Sequence, residues 1–242
     1  MPSAGSLTRL LLAVVAAPLA AAAPLPAAAQ AVTADDPVLL GAAVRQRPEW
    51  DGSAMRRTDV VPVLRYYGPR WFARTTQGVL EGGVRERLGD FHAGAQLAYE
   101  PAHRDLGAGA SVGLHLEWDQ RIGPAPVTFL LRARQNLDRS RGGEADLRIT
   151  AGVLQRGGLL AGVFGQATWG TANALASRYG AQRSGLMFAS AGVLGSYDLA
   201  RHWVLVASAE RRSLYDQAAD SPITERVRNG YVSAGIAYRF GR

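Results

Sequence analysis

The stretch Asn229-Gly230-Tyr231-Val232-Ser233-Ala234-Gly235-Ile236-Ala237-Tyr238-Arg239-Phe240 decides how the rest of the chain is read. In an extended strand, side chains alternate between two faces. Val232, Ala234, Ile236, Tyr238 and Phe240 then share one face, and Tyr231, Ser233, Gly235, Ala237 and Arg239 share the other. The first row is apolar and ends in aromatics; most of the second is small or polar. Such a strand suits an outer-membrane barrel, where lipid surrounds a wet interior. A half-buried strand of a soluble β-sandwich is the competing reading.

The alternation recurs along the chain. Ala108, Ala110, Val112, Leu114, Leu116 and Trp118 alternate with Gly107, Gly109, Ser111, Gly113, His115 and Glu117. Phe91, Ala93, Ala95, Leu97 and Tyr99 alternate with His92, Gly94, Gln96, Ala98 and Glu100. Val127, Phe129, Leu131 and Ala133 oppose Thr128, Leu130, Arg132 and Arg134, while Leu147, Ile149, Ala151 and Val153 oppose Asp146, Arg148, Thr150 and Gly152. A soluble barrel would bury its large apolar residues and turn Lys, Glu and Thr outward, and neither face of these segments does that. With the segments 38–45, 59–67, 70–75, 78–86, 159–169, 186–197, 202–212 and 231–240, the count reaches twelve strands. The predicted fold is all-β, a transmembrane antiparallel up-and-down barrel. Ten strands is the alternative, because Pro62 removes a ladder donor and 70–75 is short for a bilayer.

The connections alternate as such a barrel requires, short on the periplasmic side and long outside. Residues 67–70, 87–90, 119–126, 155–158 and 198–201 are the tighter links; 46–58, 100–106, 137–144, 170–184 and 213–228 are the longer ones. The link 75–78 is short where a long one is expected.

Composition agrees. The 242 residues include 28 Gly and no Cys, and 19% are charged, which excludes a disordered chain and a disulfide-stapled one. The net charge of +7 does not point to nucleic acid, since the 27 basic residues are scattered singly through alternating segments. Residues 1–31 read as a secretory signal: Arg9, an apolar run over 10–23, and the small-residue exit Ala27-Ala28-Ala29-Gln30-Ala31, with cleavage after Ala29 or Ala31. Pro18, Pro24 and Pro26 argue against a retained helix. No Cys follows the exit, against a lipoprotein. Residues 32–242 are the barrel domain.

No enzymatic constellation is evident. Of the four His, His92, His103, His115 and His202, only His115 shares a strand face with Ser111 and Glu117. A spacing of two residues separates them by about 7 Å, beyond direct hydrogen bonding. Gly-x-Ser-x-Gly, His-Glu-x-x-His and phosphate-loop motifs are absent, so no catalytic, cofactor or metal residues are assigned. Arg65, Arg85, Arg132, Arg134, Arg148, His115, Glu117 and Arg239 are the expected lumenal charges, with Glu81, Asp146 and Glu210 as further acidic partners. They either plug the barrel as a salt-bridge ladder or leave an anion-leaning pore. Asp216, Asp220, Ser221 and Pro222 form a loop motif, expected to be a pre-shaped outward turn whose Asp220 docks against Arg211 and Arg212.

These loops carry a resemblance. Ser213-Leu214-Tyr215-Asp216-Gln217-Ala218-Ala219-Asp220-Ser221-Pro222-Ile223, followed by Gly230-Tyr231 and Tyr238-Arg239-Phe240, resembles the C-terminal signature of the MipA/OmpV family of outer-membrane proteins. Arg47-Pro48-Glu49-Trp50-Asp51-Gly52-Ser53, Val61-Pro62-Val63 and Tyr66-Tyr67 look like its early loop and following strand. Tyr238 and Phe240 also resemble the terminal aromatic assembly signal of outer-membrane barrels, though Gly241 and Arg242 follow here. The resemblance implies localisation in the outer membrane of a Gram-negative cell, with contacts to outer-membrane lipid and the barrel-assembly machinery. It also implies a non-enzymatic scaffold or binding role linked to murein-synthesising and murein-degrading enzymes. A passive small-solute channel is the alternative, and a lipid- or peptidoglycan-modifying hydrolase the third.

Overall fold

The computed structural model describes residues 37–102 and 106–241; the predicted signal segment and His103 lie outside them. Twelve antiparallel strands close into one barrel. In chain order they are β1 (Val38–Pro48), β2 (Arg56–Tyr67), β3 (Trp71–Thr76), β4 (Val79–Leu88), β5 (Phe91–Glu100), β6 (Gly109–Ile122), β7 (Ala125–Asn136), β8 (Gly143–Arg156), β9 (Leu159–Gly170), β10 (Gly185–Asp198), β11 (Trp203–Leu214) and β12 (Arg228–Phe240). Each pairs with its sequence neighbours. The segment 229–240 is the closing strand, joined to β11 on one side and to β1 on the other, from Val38↔Phe240 to Gln46↔Val232. Closure pairs the strands around the ring, which is how backbone groups are satisfied in lipid, except along β2, which meets β3 at only three positions.

The faces sort as the alternation requires. Leu97 and Leu114 on the outside are 61% and 66% exposed, whereas Gln96, Glu117 and Arg132 on the inside are 2%, 5% and 2% exposed. Polar residues inside and large apolar residues outside are the inverse of a soluble protein, and only a surrounding apolar solvent makes the arrangement stable. Trp118 packs between Phe91 and Phe129, at centroid distances of 5.6 and 5.2 Å, and Trp203, Tyr238 and Phe240 form a second aromatic group. Both lie at the short-turn end, together with Val38 and Phe240. Tyr99 and Trp169 lie towards the other end, each about half exposed. The eight steps from Phe91 to Tyr99, at about 3.3 Å each and tilted about 40°, span about 20 Å of wall.

The long-loop end is structured. The loop after β9 folds into α1 (Ala172–Tyr179), capped at its start by Thr171 Oγ1, which accepts from the amide of Ala174 at 3.4 Å, and ended by Gly180 in the left-handed region. The loop after β11 forms the short α2 (Asp216–Ala219). Leu175 and Tyr179 of α1 pack with Met187, Phe188, Leu214 and Ala218, a small apolar core that ties both loops to the rim. At the short-turn end the inward face carries a second apolar group, Leu39, Val204 and Ala237, with Val63 and Val206 against it.

β3 is the irregular strand. It pairs with β4 along its length but with β2 at only three positions. Pro62, which cannot donate, lies along the part of β2 without a β3 partner, so twelve strands and this proline coexist.

Candidate functional site at the outward mouth and lumen

Strand alternation places Arg74, Glu81, Glu117, Arg132, Arg134 and Asp146 on the inner faces of β3, β4, β6, β7 and β8, and their side chains meet. Glu81 accepts from Arg74 at 2.9 Å and from Arg132 at 2.5 Å. Arg132 reaches Asp146 at 2.8 Å, Arg74 reaches Glu117 at 3.3 Å, and Arg134 lies 3.5 Å from Glu144 and 3.7 Å from both Asp146 and Glu81. Glu81 and Asp146 are 1% exposed. Contacts from β4 to β7 and from β3 to β6 run through the lumen, so this ladder occupies its β3–β8 side. All 27 basic residues of the chain are Arg, whose planar fork can serve two carboxylates at once, as Arg74 and Arg132 do here.

Except for Arg239, the other expected lumenal residues are also inside. His115 is buried edge-on against Phe72, at 4.9 Å between centroids. Arg85 stacks over Tyr67 at 4.9 Å and Arg148 over Phe164 at 3.9 Å; neither has a carboxylate partner among the described residues. Arg65 is half-buried on β2. Arg239 sits at the short-turn rim, bonded to Asp198, instead of within the bore. Tyr238 and Phe240 face outward beside Trp203.

Above the ladder, the two family-like stretches clasp each other. Asp51, in the β1–β2 loop, accepts from Arg212 at 2.5 Å and from the Tyr231 hydroxyl. The amides of Glu225 and Arg226 both donate to Gly52 O at 2.9 Å, and Glu225 Oε2 accepts from the amide of Ala54 at 2.7 Å. Burial pushes the Asp51 carboxyl up, but Arg212 and Tyr231 outweigh it and hold the group below the usual carboxylate range. Arg178 of α1 bonds to Glu100 at 3.1 Å and to Glu144; burial opposes its charge, yet the two carboxylates raise its pKa.

The loop motif docks differently from the sequence expectation. Asp220 is exposed, and Arg212 pairs with Asp51 and Glu210. Ser221 carries the docking: it is 7% exposed, and its hydroxyl donates to Tyr179 O at 2.5 Å. Asp216 accepts from the amide of Leu186 at 3.1 Å, and Pro222 is exposed. A buried hydroxyl needs a partner, while an exposed carboxylate is already solvated by water, so Ser221 becomes the anchor. The sequence reading missed Arg45, Arg47, Asp51, Asp59, Arg74 and Arg178. Alternation on β1 and β3 would have placed Arg45, Arg47 and Arg74 inside; nothing local marked Asp51 or Arg178.

Arg45, Arg47, Trp50, Asp51, Gln77, Glu100, Arg178, Tyr179, Arg212 and Tyr231 are among the residues around a cavity of about 140 Å³ at this mouth. No cluster of His, Asp or Glu able to hold a metal ion is present among the described residues.

The barrel resembles an outer membrane channel from Pseudomonas putida F1, with a TM-score of 0.54 and 12% identity, covering 90% of this chain and 100% of that one. It also matches the outer-membrane expressed OmpT of Vibrio cholerae at a TM-score of 0.43 and 8% identity, covering 84% of this chain and 96% of that one. At these identities the likeness to the Pseudomonas channel shows the fold alone, and the Vibrio match, below a TM-score of 0.5, adds nothing to it. No curated protein matches the chain significantly. The family model described as MltA-interacting protein MipA matches residues 40–240, nearly the whole described barrel. The chain therefore belongs to the MipA family of outer-membrane β-barrel proteins.

Proposed function

We propose that this protein is a non-enzymatic binding barrel whose bore is closed by paired charges, with its contact surfaces at the two rims. The observation that carries the reading is the ladder centred on Glu81, Arg132 and Asp146, three groups at most 2% exposed in the place where a porin keeps water. The apolar group of Leu39, Val204 and Ala237 lines the lumen nearer the periplasmic side. The family description names MltA as a partner of MipA. For this chain we place any such partner on the periplasmic rim, where Arg70, Arg87, Arg121, Arg156 and Arg201 outnumber Asp90, Asp119 and Asp198 and offer a basic face to an acidic surface. Planar-bilayer conductance of the refolded protein is the test. A closed bore gives no stable steps, whereas regular steps would replace this reading with a small-solute channel. Arg85 and Arg148, which lack carboxylate partners among the described residues, would bias such a channel towards anions.

A further inference from the structure

β2 pairs with β1 from Leu39↔Arg65 to Pro48↔Arg56, but with β3 only at Arg65↔Arg74, Tyr66↔Ala73 and Tyr67↔Phe72. Continuing the register would join Leu64 to Thr75 and Val63 to Thr76. Instead the β3–β4 hairpin leaves the wall there and leans inward. Gln77 O accepts from Arg45 on β1, and Gln77 Nε2 donates to Glu210 on β11 at 2.8 Å. Gly78 permits this: its φ is +81°, and a side chain on it would take the place of the Arg45 guanidinium. The wall is therefore broken beside β2 in its outward half, and the mouth cavity lies behind the break, with Arg45 and Gln77 in its lining.

Charge around this cavity is unevenly compensated. Arg212 faces Asp51 and Glu210, and Arg178 faces Glu100 and Glu144, two carboxylates each. Near the break, Arg45, Arg47 and Arg57 converge on the one carboxylate of Asp59, at 3.8, 2.6 and 2.6 Å. Arg45 Nε is buried without a hydrogen-bond partner. One unpartnered N–H of Arg45, with surplus positive charge beside it, can serve an oxygen of an oxyanion, and Trp50 and Tyr179 in the lining offer rings to a carbon skeleton.

We infer that the mouth cavity binds the phosphate or carboxylate head of a small anion on Arg45, and that the break between β2 and β3 admits an anion bearing an acyl chain sideways from the lipid. This deepens the binding-barrel reading but needs only the cavity, so a conducting bore would leave it standing.

The test uses the refolded protein in uncharged detergent, titrated separately with inorganic phosphate and with dihexanoyl phosphatidic acid while tryptophan emission is followed. The expected result is a saturable change with at least one probe, lost in Trp50→Phe. Half-saturation should rise at least about tenfold in Arg45→Gln and in Gly78→Ala, which keeps the arginine but displaces it. It should be unchanged in Gln155→Ala, exposed at the opposite end. Heat-modifiable migration confirms assembly of each variant, and Gly78→Ala decides the matter if Arg45→Gln does not assemble. Binding of both probes identifies a site for small aqueous anions, and binding of phosphatidic acid alone identifies a lipid head. The chain has no Cys, so Leu64→Cys with Thr75→Cys can be bridged by a short bis-maleimide, which should block phosphatidic acid and spare phosphate. No saturable response to either probe, or a response unaltered in both Arg45→Gln and Gly78→Ala, overturns the site. Phosphatidic acid binding that survives the bridge overturns the sideways route.

Discussion

Glu81→Gln is the sharpest probe of the closed bore, because it removes one charge from the centre of the ladder and almost no volume. The Glu81 side chain is fully buried and accepts from Arg74 at 2.9 Å and Arg132 at 2.5 Å, with Arg134 at 3.7 Å. After the change, Arg74 keeps one carboxylate, Glu117, 3.3 Å away, beside the Tyr67 hydroxyl at 3.2 Å, and Arg132 keeps Asp146 at 2.8 Å. Three guanidiniums in a site shielded from water then share one fewer anion. Removing one partner of a buried pair costs about 3 to 5 kcal/mol, because the remaining charge is left uncompensated. The glutamine amide still accepts one bond, so the lower half of that range is expected. The assay is the urea midpoint of heat-modifiable migration, beside Arg132→Met and the double variant. Each single change should destabilise by about 3 kcal/mol, and the double by clearly less than the sum, since removing both charges leaves neither stranded. Bilayer steps should appear in Glu81→Gln, as water enters to solvate the freed arginines. A single-variant loss below about 1 kcal/mol with strict additivity would refute the claim that these charges are buried and coupled.

Further outcomes follow from the same geometry. Leu131→Arg should impair assembly, by up to about 2 to 4 kcal/mol, and Ala110→Arg, paired with Tyr99 towards the outward end, by less, while Ser111→Arg and Thr128→Arg on the lumenal face are tolerated better; equal folding yields for Leu131→Arg and the lumenal pair would mean the faces are reversed. Thr128 already bonds Asp119 at 2.6 Å, so an arginine there meets a carboxylate. Deleting residues 217–224 removes Ala218 and Ser221 from Tyr179 and should speed proteolysis of the α1 loop, yet leave conductance unchanged because the ladder below still closes the bore; new conductance would make the loop the plug. Asp51 has a folded pKa below its ordinary 3.8, so its contribution is present above that pH and is lost as pH falls through the folded value. Protease access to the β1–β2 loop should therefore rise only below about pH 3.8, and Asp51→Asn should show that access already at pH 7.

Period-two alternation in single segments fixed the fold class, the twelve strands and the two faces, because a strand between lipid and water must sort its side chains one by one. Leu114 outside and His115 inside are decided by neighbouring positions in the chain, so no partner strand is needed to read them. Which charges meet is another matter. Glu81 finds Arg132 across 51 residues, and Asp51 finds Tyr231 across 180, only because closure of β12 on β1 curls the sheet and its shear sets their heights. Local chemistry pointed to Asp220 as the docking group of the last loop, whereas burial against Tyr179 gave that part to Ser221. The inward lean of Gln77 and the broken ladder beside β2 were invisible for the same reason. Alternation says which face a residue takes, but side chains inside a closed ring choose partners by distance across the lumen, and that distance exists only once the ring has closed.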